Sequence, residues 1–162
     1  MSIKRTLMIA ATGLSLVAFV GTSCSTKTAE ATTPPYTQQH FEYSIVAVPL
    51  LVHEQTSTFD YLDKAFAKHG LLDGKEVWGW SLNHITVYQG DSVTANLLNP
   101  GDDPHTFTIT ELDVNKVLNP AASTSLTFSA YKVGTFKFFC TVPEHAPYMT
   151  GTITVLPDSA AS

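Results

Sequence analysis

Two cysteines, three methionines and a single arginine are all that this chain of 162 residues has of those types. With only Cys24 and Cys140, no disulfide framework can hold the fold together. Arg5 is the lone arginine, so the basic stripe that meets nucleic-acid phosphates is missing and nucleic acid is excluded as a partner. Apolar runs are short as well. The longest, Leu7 to Val20, falls below the roughly 20 residues that cross a bilayer as a helix.

That run follows Lys4 and Arg5 and ends in Gly21-Thr22-Ser23-Cys24. Residues 1–24 therefore read as a secretory signal peptide of the lipoprotein type, with Cys24 where the acylated cysteine would stand. Gly21 departs from the Leu usual at its position, and an ordinary signal discarded with Cys24 inside it is the alternative. Residues 25–39 are rich in Ser, Thr and Ala with a Pro34-Pro35 pair, the composition of a flexible tether. Without the signal, seven lysines face fourteen carboxylates, a net charge of about −7. Such a chain is expected in the cell envelope, periplasmic or lipid-anchored at the outer face of the membrane. Its expected partners are proteins with a basic or mixed docking face.

From His40 to Asp158 the pattern is that of short strands separated by turns, an all-β sandwich with one short helix in its N-terminal half. FEYSIVAVPLLV reads as a strand interrupted by Pro49. TSTFDYLDKAFAKHG reads as the helix, with Ser57 and Asp60 as a capping pair, Phe59, Leu62, Phe66 and His69 on one face, and Gly70 as its stop. Trp78 and Trp80 flank a glycine and are expected over one end of the sandwich. Gln89-Gly90-Asp91 turns between two strands. Phe107 and Ile109 alternate with threonines, Leu126 and Phe128 share a side, and Phe136, Phe138 and Cys140 share a face at period two. Ile153 and Val155 point inward along the last of about seven strands.

Chemistry concentrates near the C-terminus. Cys140, His145 and Met149 lie within ten residues, and His105 stands upstream in NPGDDPHTFTIT. If Cys24 is acylated or removed, Cys140 is an unpaired thiol in an oxidising compartment, which calls for a metal or a chemical role. One thiolate, two imidazoles and a thioether suit a single copper ion cycling between Cu(I) and Cu(II). A lone buried Cys is usually an inert small hydrophobe, and a lone His is usually surface or satisfied core. The four together, in order and on strand ends, carry the metal argument. His40, His53, His69 and His84 have no such company and read as surface or capping residues.

From Ile85 to Leu156 the order is strand, Gly-Asp turn, strand, His-led strand, Leu-Thr-Phe strand, then Gly-x-Phe-x-Phe-x-Cys and the ligand loop. This stretch resembles the cupredoxins, the small blue copper proteins of the azurin, plastocyanin and rusticyanin kind. Four residues separate Cys140 from His145 and three separate His145 from Met149, the spacing of an azurin-type loop. The resemblance implies a Greek-key β-sandwich, with His105, Cys140 and His145 as a trigonal set around copper and Met149 as a weak axial ligand. It implies no catalysis but single-electron exchange with redox proteins, docking near Ala146, Pro147 and Tyr148 around an exposed edge of His145. Glu144 stands where such loops usually have Gly, and Pro147-Tyr148 where they often have a small residue. Glu144 reads as a solvated loop charge. The long region before the core resembles nitrosocyanin, a red copper protein with an open site, although Met149 speaks against an open position. Copper delivery is a further alternative, weakened because the mature chain has one methionine. The loop also lacks the second cysteine of a binuclear copper centre.

Overall fold

The computed structural model describes residues 36–158. The expected signal segment 1–24, with Cys24 as the expected anchor, and residues 25–35 of the expected tether lie outside the described residues. Among the described residues nine strands form: β1 (His40–Leu51), β2 (Val77–Trp80), β3 (His84–Tyr88), β4 (Ser92–Asn99), β5 (His105–Ile109), β6 (Val114–Leu118), β7 (Ala122–Ser129), β8 (Gly134–Phe139) and β9 (Thr150–Leu156). One sheet has the order β2-β1-β4-β7 and the other β3-β9-β8-β5-β6. Period-two alternation explains the layers. Ile45, Ala47, Val93, Ala95 and Leu97 line the inner face of the first sheet, while Ile85, Val87, Phe107, Ile109, Phe138, Ile153 and Val155 line that of the second. Each large side chain so buried contributes roughly 1.5–3 kcal/mol. The expected all-β sandwich with a short helix is what forms.

β1 runs parallel to β4 from His40↔Ser92 to Val46↔Leu98, then continues against β2 alone, with a bulge between Pro49 and Leu51. Pro49 therefore does not end the strand. It lies beyond the last β4 pair, where no ladder bond to that neighbour is needed. β6 was not evident as a strand, since VNKVL carries only two inward residues, Val114 and Leu118.

The helix is shorter than its sequence pattern. α1 spans Asp60–Phe66, preceded by a 3₁₀ turn at His53–Ser57. Ser57 does not cap α1; its hydroxyl donates to the Glu54 carbonyl at 3.0 Å. Phe59 is exposed, and His69 lies beyond the helix, which Ala67 ends by turning extended (ψ 160°); His69 itself takes a left-handed backbone (φ 67°). Leu62 and Phe66 pack with Leu72 into a small satellite core.

The Gln89–Asp91 turn carries the chain from one sheet to the other. Asp91 is fully buried there. It accepts bonds from the Tyr36 hydroxyl (2.8 and 3.0 Å), the Gln39 amide (2.8 Å) and the Tyr88 amide (2.7 Å). Burial and this carboxylate push the Tyr36 phenol up to about 12. Residues 36–39 are thus fastened to the domain at the start of β4. Asn99 and the chemistry-bearing loop lie at the other end of that strand.

Candidate metal centre

Asn99 ends β4 facing inward and fully buried. Its side-chain amide donates to the carbonyls of Asp103 (2.6 Å) and Asn119 (3.1 Å), and its Oδ1 accepts from the Gly101 amide at 3.0 Å. One buried side chain therefore shapes the NPGDDP turn that delivers His105 to the start of β5. Gly101 is required in that turn because a Cβ would run into the Trp78 ring.

Cys140 follows β8 directly and continues its inward face. Its amide bonds to the Met149 carbonyl at 3.0 Å, so the ligand loop closes on itself. Inside the loop the amides of His145 and Ala146 bond to the Val142 carbonyl, and those of Tyr148 and Met149 to the His145 carbonyl, at 2.9–3.0 Å. Two successive turns thus place His145 and Met149 on the buried side. Thr106 ties this loop to β5: its hydroxyl accepts from the Thr141 amide at 2.8 Å, and its own amide donates to Cys140 Sγ at 3.4 Å. That contact fixes the position of the sulfur against β5.

His105, Cys140 and Met149 are fully buried and His145 is 3% exposed. The donor atoms of His105, Cys140 and His145 all lie within 4.8 Å of one another, close to the spacing of donors that each sit ~2.0–2.3 Å from one ion. The Nδ1 atoms of the two imidazoles face each other at 3.1 Å. Burial, then the neighbouring His145, pull the His105 imidazole down from 6.5 to about 4, so it is neutral and free to ligate at ordinary pH. Two imidazoles converging on a buried thiol fit a soft-to-borderline transition metal. Met149 sits at the loop end beside them, joined to Cys140 through the backbone.

Three features escaped the sequence reading. Trp78 is buried with its ring 4.7 Å from that of His105 and 6.1 Å from that of His145, and Trp80 lies 6.5 Å from His105. Both tryptophans do pack at one end of the sandwich, and it is the ligand end. Asp103 Oδ2 lies 3.4 Å from His145 Nε2. The expected exposed edge of His145 is thereby corrected: the ring is buried, and Asp103 stands on its outer side. Beside it opens a cavity of about 330 Å³ walled by Glu54, Glu76, Asp102, Asp103 and Glu144. Glu144 is exposed, as a solvated loop charge should be. His40, His53, His69 and His84 are exposed and apart from the centre; His84, for example, bonds to Thr152 and Thr86.

Residues 76–155 match the family model of the cupredoxin-like domain. This segment is a cupredoxin domain. Its sandwich is similar to a copper nitrite reductase from Nitrosomonas europaea, with a TM-score of 0.53 and 20% identity over 76% of this chain and 44% of that one. A blue copper oxidase from the same organism matches with a TM-score of 0.50 and 20% identity over 75% of this chain and 39% of the other. At these identities the likeness is one of fold. A nitrous-oxide reductase from Ralstonia nicotianae is 37% identical over 73 residues, 43% of this chain. The match spans 11% of that protein's length. β1 and α1 precede the matched segment, yet β1 lies between β2 and β4 and completes the sheet of the cupredoxin domain.

Proposed function

We propose that the chain holds one copper ion through His105, Cys140, His145 and Met149 and passes single electrons between redox proteins. The observation that carries this reading is the buried His-Cys-His group at the mouth of a self-bonded loop. Copper bound there would supply a one-electron couple. The protein's own part is to hold the donors still and keep water away. Cys140 is locked by the hydrogen bond its N–H donates to the Met149 carbonyl and by the Thr106 amide at its sulfur. His105 rides on β5, and Trp78 presses on both imidazoles. A frame that does not rearrange between oxidation states keeps electron exchange fast.

Copper delivery would want accessible, mobile donors, and these four are buried. The named reductases and oxidases are longer than this chain, so their activities do not come with the fold. We place the protein in the cell envelope, anchored through Cys24, on the strength of the apolar run before that residue and the acidic mature chain. Partners would dock near Ala146, Pro147 and Tyr148, where Pro147 and Tyr148 are exposed.

Reconstitution with Cu(II) tests the central claim. One equivalent should bind and give an intense thiolate charge-transfer band toward the red end of the spectrum, absent in Cys140→Ser. A colourless wild-type protein, or a coloured Cys140→Ser protein, refutes it.

A further inference from the structure

The two imidazoles are supported unequally. His105 Nε2 is buried without a hydrogen-bond partner among the described residues. His145 Nε2 instead faces a carboxylate, Asp103 Oδ2, at 3.4 Å, while its Nδ1 faces the centre of the donor group. The ring is therefore divided, one nitrogen inward and one toward an anion. Asp103 is itself held: its carbonyl takes the 2.6 Å bond from buried Asn99, and it stands two residues before His105 on the same turn. The turn that delivers one imidazole thus braces the other.

We infer that Asp103 is a positioning residue for His145, fixing its Nε2–H tautomer and favouring the oxidised state of the bound ion; this rests on the copper reading above. A carboxylate that accepts the outer N–H of a ligating imidazole fixes ring orientation and strengthens the ligand's donation, and its loss typically costs 10–100-fold in metal affinity. Stronger donation and a nearby negative charge both help the ion of higher charge more. The effect needs contact rather than charge alone, which separates Asp103 from Asp102, an exposed carboxylate on the same cavity wall.

The experiment compares wild type, Asp103→Asn and Asp102→Asn in two states of the full domain. In the copper-loaded proteins the reduction potential is measured. Asp103→Asn should raise it by ~59 mV, the one-electron equivalent of about a tenfold change in relative affinity for the two oxidation states, and Asp102→Asn should move it far less. In metal-free and Zn(II)-loaded proteins, nitrogen-15 imidazole spectra report the tautomer. His145 should be Nε2-protonated in wild type, with its N–H proton resonance shifted upfield in Asp103→Asn only. An unchanged potential and spectrum in Asp103→Asn overturns the inference, as does an equal response to Asp102→Asn. Failure of the wild type to take copper would count against the proposed function instead, and the spectra without copper would still judge the Asp103 contact.

Discussion

His105 and His145 bring their Nδ1 atoms to 3.1 Å across forty positions of sequence. Two protons cannot share that gap, so at least one nitrogen presents a bare lone pair there. Without a metal the approach allows one N–H···N hydrogen bond between two buried rings. A cation held between them would take both lone pairs at once, with the Cys140 sulfur close by.

The same pair makes metal-free stability depend on pH. The folded His105 titrates at about 4 against an ordinary 6.5, through burial and the adjacent His145. The unfolded chain then binds more protons than the native one between these values, so stability rises with pH across that window. It is fully present above about 6.5 and lost as pH falls toward 4. The shift corresponds to about 3 kcal/mol. Urea midpoints of the apoprotein measured from pH 7 down to 4 should fall, and His105→Gln should flatten the slope. A flat wild-type profile would contradict the buried, neutral imidazole.

Met149 is expected to tune the ion more than to hold it. A thioether favours Cu(I), and an amide oxygen favours Cu(II). Met149→Gln should therefore keep one copper per chain and lower the reduction potential, read by voltammetry. Complete loss of copper from the variant would show that Met149 does not stand in the axial role.

Gly101 links the turn to the metal centre by what it lacks. A methyl group there meets the Trp78 ring, which is wedged against both imidazoles and tied by its indole N–H to Glu76 at 3.1 Å. Gly101→Ala should cost about 1–3 kcal/mol by overpacking and shift the thiolate band through the displaced indole. Denaturant melts with optical spectra check both effects. Stability loss with an unmoved spectrum would mean that Trp78 yields without disturbing His105.

Asp91 offers a contrast at the far end of β4. Asp91→Ala strands the Tyr36 hydroxyl and the amides of Gln39 and Tyr88. Each bond to a charged group is worth about 1.5–3 kcal/mol, so a loss of about 3 kcal/mol or more is expected, with the copper spectrum unchanged. An altered spectrum in a folded variant would show that the two ends of the sandwich are coupled.

What the sequence disclosed follows from how local each signal is. Alternation at period two exposed β5, β7, β8 and β9, and the ligand loop is short enough for its spacing to be read directly. The helix was read as running to Gly70, whereas Ala67 turns extended (ψ 160°) and ends α1 at Phe66, a break that the local spacing does not announce. Asn99, Trp78 and Asp103 act on the centre through the folding of distant segments, and nothing in their immediate neighbours announces it. An asparagine at an inward period-two position of β4 was the one available hint. The exposed edge assigned to His145 was wrong for the same reason: its cover comes from a turn some forty residues upstream.

That correction changes how a partner would approach. With His145 under Asp103, Pro143, Pro147 and Tyr148 are exposed apolar or aromatic residues of the ligand loop, the last 49% exposed. They lie beside Glu144 and Lys75 around a shallow depression of about 220 Å³. A small apolar surface permits brief contact without tight binding, while Asp102, Asp103 and Glu144 on the adjoining wall would steer a basic partner. Tyr148→Lys places a cation where that partner's own positive charge must come. It should slow electron exchange about tenfold at low salt and less as ionic strength rises, since screening lengths shrink to ~8 Å at physiological salt, with the copper spectrum nearly unchanged. Stopped-flow oxidation by a basic c-type cytochrome over a salt series measures this. A rate that ignores both the substitution and the salt would move the docking face away from Tyr148 and leave Pro147 and Tyr148 as stiffeners of the loop.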